Sequence, residues 1–437
     1  MPLTRWSRRS STAAAAAIAV ACAVLAAAAA ADTGGLAMSL SGRLALEGRW
    51  FPEEAAHPGQ RDATLGYTVQ STLHLDHENG ASFILTPFYR YDSADAYRTH
   101  ADLREAYLLA FGELGDGEWE ARLGFDRVFW GVTEFHHLVN IVNQADLVEH
   151  PNEEIALGQL MAHLTWTAEW GTLEFFVLPL HRERTLPGRG GRLRGGLPVD
   201  ERRATYESAA EEWHIDLAAR FSRSFGPLDL GLSLFDGTAR EPSLRPSFRV
   251  APDGMGGFVP VPHRLVPHYA QIRQYGLDAQ LTLESWLLKL EAIHREGAPA
   301  LPDPPADLSG RKRDYRAFVA GFEYTFGGVF ESNADISVLA EWSYDERERR
   351  SPDQFQNEIF VAGRLALNDV EGTQLVASLI ADADYETYAL GFEIKRNLSD
   401  SWDAKVDGTV FLAVDPDDPI HDTRRDSYIG GSLVYSF

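Results

Sequence analysis

Glu134, His136 and His137 stand within four residues, and an acid beside paired imidazoles can bind a divalent cation or move a proton. The spacing argues against it. The zinc-protease pattern His-Glu-x-x-His is absent, and no second His/Cys cluster stands at ligand spacing. The pair reads as packed or solvated histidines, and no metal site is assigned. His74, Asp76 and His77 are neighbours too, but His74 and His77 have opposite strand parity and face opposite ways. No Gly-x-Ser-x-Gly elbow and no phosphate-cradling glycine loop occurs. The sequence therefore offers no catalytic residue, no metal and no cofactor. What remains is fixed charge that could select solutes. Glu134, Asp146 and Glu149 lie in one segment, and Arg182, Arg184, Arg189, Arg192 and Arg194 in another.

Something must hold those charges, and the pattern of the chain says what. At the C-terminus Ile429, Leu433, Tyr435 and Phe437 share one parity, with mostly small or polar residues between them. Period-two apolarity is a strand with one apolar face. Trp402, Ala404, Val406, Val410, Leu412 and Val414 alternate in the same way with Asp403, Lys405, Asp407 and Thr409. We count eighteen such segments, from 38–50 to 426–437, with sixteen as the alternative because 172–180 and 228–236 are short. Most have the nine to eleven residues that a tilted strand needs to cross a bilayer. Connections alternate as well. Turns such as His77-Glu78-Asn79-Gly80 and Gly226-Pro227 are tight, whereas 51–62, 131–156, 181–211 and 237–267 are long. The Pro-rich stretches 237–267 and 297–310 read as stiff surface excursions.

Aromatics mark the strand ends. Trp50, Tyr91, Trp130, Trp213, Tyr269 and Trp342 fall on the long-loop side. Trp119, Trp170, Trp286, Trp402 and Phe437 fall on the tight-turn side. Two girdles suit the two interfaces of a membrane.

The N-terminus agrees. Arg5, Arg8 and Arg9 precede an Ala-rich apolar run from Ala13 to Ala31, which reads as a secretory signal peptide cleaved near Ala31. The only cysteine, Cys22, lies within it, so the mature chain carries no thiol. No apolar run in the remaining 32–437 is long enough for a transmembrane helix. That mature segment has 37 Lys+Arg against 64 Asp+Glu, about -27, which disfavours a nucleic-acid partner.

Signal, alternating strands, turn asymmetry and the terminal Tyr435-Ser436-Phe437 together resemble Gram-negative outer-membrane porins, over the whole mature chain. Strand count and length are also similar to substrate-selective eighteen-stranded channels and alginate-export-type barrels, and no motif fixes one subfamily. The resemblance implies a single all-β domain: a transmembrane antiparallel up-and-down β-barrel with short periplasmic turns and long extracellular loops. It implies the outer membrane with its lipopolysaccharide as surroundings, barrel assembly machinery reading the C-terminal strand, and a homotrimer as one possible state. Function would be passive diffusion of small hydrophilic solutes without catalysis. The alternatives are an exporter of an acidic polysaccharide or other anion, and an outer-membrane barrel enzyme.

Two loops then acquire roles. In 131–156, Phe135, Leu138, Val139 and Val142 stand at helical spacing, with Thr133 placed to cap. The reading is a loop folded into the lumen that presents Glu134, Asp146 and Glu149 to the channel, the alternatives being an external lid or a subunit contact. The Arg-rich loop 181–211 is either an anion-attracting patch at the mouth or a solvated loop touching lipopolysaccharide phosphates. Arg43, Arg104 and Arg122 add positive charge on the inward parity, opposed by Asp126 and other carboxylates. The acidic balance predicts mild cation preference.

Overall fold

The computed structural model describes residues 36–150, 155–299 and 312–437. The signal segment with Cys22 lies outside them, as does most of 297–310. The strands, in chain order, are β1 (Leu36–Trp50), β2 (Ala63–His77), β3 (Ser82–Asp92), β4 (His100–Leu114), β5 (Gly117–Asp126), β6 (Gln159–Ala168), β7 (Gly171–Leu178), β8 (Thr205–Tyr206), β9 (Asp216–Phe225), β10 (Leu228–Thr238), β11 (Ser243–Pro252), β12 (Phe258–Tyr269), β13 (Gln271–Leu283), β14 (Trp286–Pro299), β15 (Lys312–Phe326), β16 (Asp335–Asp345), β17 (Asn357–Ala366), β18 (Gln374–Asp382), β19 (Tyr388–Ser399), β20 (Trp402–Ala413) and β21 (Tyr428–Ser436).

All but β8, β11 and β12 belong to one eighteen-stranded antiparallel sheet. It closes where β1 pairs with β21, from Arg43 opposite Ser436 to Trp50 opposite Ile429. Phe437 completes the seam. Its N–H donates to the Gly42 carbonyl at 3.1 Å, and the Gly42 N–H donates to the Phe437 carbonyl at 3.0 Å. Closure gives every strand of this sheet two neighbours, as a sheet surrounded by hydrocarbon requires. The eighteen barrel strands follow the alternation read from the sequence.

The outer surface carries the apolar parity. Leu44, Leu46, Leu65, Leu123, Val361, Val410 and Leu412 are exposed there, a belt that suits lipid and not water. The opposite parity is polar and faces inward. Tight turns gather at one rim, where Gly115 and Gly226 take φ of 63° and 61° in open space. The long connections gather at the other rim.

Two expectations are corrected and one gains its form. Residues 237–267 are an exposed excursion built as a hairpin of β11 and β12 that extends to Tyr269, flanked by the short β8. A two-stranded ribbon has free outer edges, where a proline's missing N–H costs no ladder bond. Trp130 and Tyr269 do not belong to an interface girdle. Trp130 is buried edge-on to Phe176 at 5.5 Å, and Tyr269 is buried among His181 and Tyr206. Side chains packed against them won over strand-end position. Trp50, Trp286, Trp402 and Phe437 are exposed, and Trp119 is half-buried. The helix expected near Thr133 is absent: residues 131–150 are irregular, for a reason given next.

Candidate functional site

A run containing Leu138, Val139, Ile141 and Val142 cannot remain in water without a large penalty. All four side chains are buried, and they pack with Trp130, Met161, Phe176, Phe235, Ile272, Ile293 and Val319 from the inner faces of β6 to β15. The segment after β5 therefore lies inside the barrel. A loop in a lumen must still satisfy its backbone donors. Two wall carboxylates do so here. Glu291 on β14 accepts from the N–H groups of Val132 (2.8 Å), Thr133 (3.1 Å) and Val139 (3.1 Å), and from the Thr133 hydroxyl (2.7 Å). Glu341 on β16 accepts from the N–H groups of Glu134 (2.9 Å) and Phe135 (2.8 Å). Those bonds replace the first turn of a helix, and Thr133 spends its hydroxyl on the wall instead of on a cap. The His136 ring meets the Ser343 hydroxyl at 3.1 Å, and Phe135 stacks on Phe360 of β17 at 4.7 Å. The loop thus crosses from β5 to the far wall.

Its charged residues fare unequally. Glu134 remains half-exposed and pairs with the buried Lys289 at 2.5 Å. Asp146 and Glu149 do not face open water, contrary to expectation. Glu149 is buried against Arg90, which also holds Glu47. Asp146 is fully buried between Arg104 (2.8 Å), the Thr185 hydroxyl (2.6 Å) and His100 (3.4 Å). Burial pushes the Asp146 carboxyl up. The hydrogen bond and charge of His100, the Arg104 guanidinium and the Thr185 hydroxyl outweigh it and hold the group well below the usual carboxylate range. A carboxylate this deep persists only because it is paired.

Arg104 is likewise buried, bound to Asp102 and Asp146 and lying over the Phe88 ring at 4.3 Å. Arg122 bridges Glu120 (2.7 Å) and the buried Asp126 (3.1 Å) on the inner face of β5. Arg43 is exposed on the inward parity of β1, near the turn-side rim. His100, Asp146 and Glu149 have ligand atoms within 4.8 Å of one another. Arg90 and Arg104 already neutralise both carboxylates, so the triad reads as an ion-pair network. Lys289, Glu291, Arg90 and His100 escaped the sequence reading. Their only signal was charge at inward parity, which dozens of residues share.

Loop 181–211 is corrected more sharply. Arg192 is buried, bonded to Asp426 (2.6 Å) and Asp62 (3.1 Å), and stacked on Phe51 at 4.6 Å. Arg194 is buried and donates to the Gly195 and Gly196 carbonyls. Arg182 donates to the Gly158 carbonyl and pairs with Asp102. Arg184 donates to Gln144 at 3.2 Å, and Arg189 alone of the five is exposed. These arginines do not form a patch at the mouth. They tie the loop to residues near 53–62, 95–102 and 422–426, which cover the long-loop end of the barrel. His181 at the loop's base is held well below its ordinary range by burial and by the adjacent Arg240. Its neutral ring accepts from Arg240 at 3.1 Å. Arg192→Ala should free this lid while leaving the wall intact. We expect loop 181–211 in proteoliposomes to become trypsin-sensitive, with the heat-denaturation profile of the barrel little changed.

The two inserts leave one region of lumen uncovered. Loop 131–150 packs on β6 to β15 and touches β16 and β17 at its tip. Its far end reaches β3 through Glu149 and Arg90, and the inner faces of β18 to β21 lie beyond it. Between the loop tip and the wall is a cavity lined by Phe135, Leu138, Ile141, Arg295, Tyr315 and Phe355. Glu241 sits on its edge. Burial pushes the Glu241 carboxyl up, but Arg295, Arg184 and Arg347 bring it down to about 2.

A family model described as "Protein of unknown function (DUF1302)" matches residues 48–413. No curated protein matches the chain in sequence. Among solved structures, the chain is similar to a BenF-like porin from Pseudomonas fluorescens Pf-5, at 10% identity, covering 92% of this chain and 98% of that one, with a TM-score of 0.49. It is also similar to a triple mutant of Rhodopseudomonas blastica porin, at 10% identity, covering 92% of this chain and 100% of that one, with a TM-score of 0.40.

Proposed function

The chain belongs to the family described as protein of unknown function (DUF1302), and we propose that it is an outer-membrane channel for passive diffusion of small hydrophilic solutes. One observation carries the reading. The closed barrel is apolar outside and mostly polar inside, and a loop stapled to its inner wall lies in the lumen. A lipid belt needs a membrane, and a wet interior eighteen strands wide admits water. The signal segment supplies the route to the envelope, and the exposed Phe437 ends the strand that assembly machinery would read.

Loop 131–156 sets the aperture, with Glu134 and Lys289 on its rim. Arg43 and the Arg122–Asp126 pair contribute to the field along the wall. Burial of Arg192 and Arg194, and the pairing of Arg182 with Asp102, weaken the argument for an anion track, and with it the support for a polysaccharide exporter. We propose mild cation preference, from carboxylate excess inside a low-dielectric wall. Lipopolysaccharide contact falls to the loop rim, and a trimer is compatible with the belt.

Purified protein reconstituted into liposomes should leak glucose and arabinose at rates that fall with solute size. Reversal potentials in a KCl gradient should take the sign of cation preference. Liposomes that stay sealed to both sugars would remove the channel reading, and the opposite sign would remove only the selectivity.

A further inference from the structure

The inner face of a barrel that passes hydrophilic solutes should be polar at every level. Away from the wall that the infolded loop covers, one level on β17 to β20 is not. The strand register sets Phe360 beside Ile380, Ile380 beside Ala389, and Ala389 beside Phe411, across β17 to β20. All four have inward parity, because Val361, Leu379, Leu390, Val410 and Leu412 occupy the exposed outer positions between them. The next inward row is Ala362, Ser378, Gly391 and Thr409. The one after it is Arg364, Val376, Glu393 and Asp407. A continuous apolar strip is therefore confined to the level at which the infolded loop ends.

Loop packing explains only one end of the strip. Phe135 stacks on Phe360, and Phe355 sits edge-on to Phe135 at 4.7 Å. Ile380 and Phe411 lie one and three strands further on and remain half-exposed. The same two aromatics also line the cavity, where Leu138, Ile141 and Tyr315 stand beside Arg184, Arg295 and Asp345, so the strip runs on into a hollow with both apolar and charged walls. Apolar surface left against water is unfavourable, and a solute that covers it recovers that free energy. The strip lies inside a closed barrel, so its occupant is a small molecule and not a macromolecule. Flat side chains in stacked and edge-on arrangement best accept a flat ring.

We infer that this strip, from Phe135 and Phe360 through Ile380 to Phe411, is a binding track for solutes that carry an aromatic ring on a polar body. The ring rides on the strip while the polar part stays in the aqueous lumen. This inference rests on the channel reading and names a substrate class for it.

The test uses open-channel current in planar bilayers, blocked by phenyl β-glucoside or by methyl β-glucoside. The two probes share a sugar and differ in the ring. The phenyl compound should block roughly tenfold more tightly, a ratio consistent with one or two aromatic contacts. Phe411→Ser should lose most of that preference with ion conductance unchanged, since Phe411 lies away from the loop. Ile380→Ser carries the same expectation and serves if the first variant fails to insert. Equal block by both probes in the native channel, or full preference in both variants, would overturn the track while leaving the pore intact. A native protein with no ion conductance would instead bring down the channel reading and the track together.

Discussion

Deleting residues 131–156 should raise single-channel conductance severalfold, with the barrel still closed and heat-stable. The wall owes the loop none of its strand pairing, whereas the lumen owes it much of its filling: the four buried aliphatics Leu138, Val139, Ile141 and Val142 occupy space beside β6 to β15. Glu291→Ala is the milder version and should behave differently. It strips the acceptor from three backbone N–H groups, each costing about 1–3 kcal/mol if left unmet in a dry site, while the Thr133 hydroxyl keeps the His136 carbonyl. The aliphatic contacts survive and still contribute about 1.5–3 kcal/mol per side chain. The two totals are comparable, so the loop should detach part of the time. The expected record is flicker between the native level and a larger one. Unchanged conductance in the deletion variant would show that the aperture lies elsewhere, with loop 181–211 next to be tested.

Arg240→Met is expected to be the most destabilising single change in the lid. Arg240 is buried at the base of loop 181–211, beyond the end of β10. Its guanidinium donates to the Ile141 and Val142 carbonyls at 2.9–3.1 Å, to Thr238 at 2.9 Å and to Asp216 at 2.8 Å. One side chain thus binds the infolded loop, the wall and the lid base together. Methionine fills similar volume but leaves Asp216 buried without its cation, a loss of about 3–5 kcal/mol. Asp216 keeps the Thr238 N–H and hydroxyl, which limits the damage toward the lower figure. The variant should show a lowered temperature for the folded-to-unfolded gel shift and should leak larger sugars than the native channel. The double variant Arg240→Met, Asp216→Asn should recover much of the gel-shift temperature, because it removes the orphaned charge as well. No recovery would mean that the carbonyl contacts dominate.

How much of this was legible beforehand depends on the kind of residue. Strands such as 402–414 announce themselves, because each inward–outward choice is made locally, residue by residue, by the surroundings each face meets. Val406 and Val410 face out and Asp407 and Thr409 face in, as their types required. Trp130 and Tyr269 defeated the same logic. An aromatic at a strand end can serve an interface or a core, and only the segments packed on it decide. The arginines of 181–211 looked like a mouth patch because their partners, Asp62, Asp102 and Asp426, come from other segments up to some 230 residues away. Spacing along the chain carries no trace of such pairs. The helical spacing from Phe135 to Val142 was real apolarity with the wrong period inferred from it, since Glu291 and Glu341 took over the backbone donors that a helix would have satisfied.

By itself, then, the sequence determined the wall: eighteen alternating segments, their inside and outside, and the tight-turn rim, since each follows from short-range pattern and the two solvents a barrel separates. Only the tertiary structure decided what fills the hollow. Which loop enters, which carboxylates pin it and which charges become buried pairs depend on contacts between residues far apart in the chain, from Arg90 with Glu149 to Val132 with Glu291 and Glu134 with Glu341. Burial turns those long-range meetings into the dominant energies, and nothing in a linear chain records them.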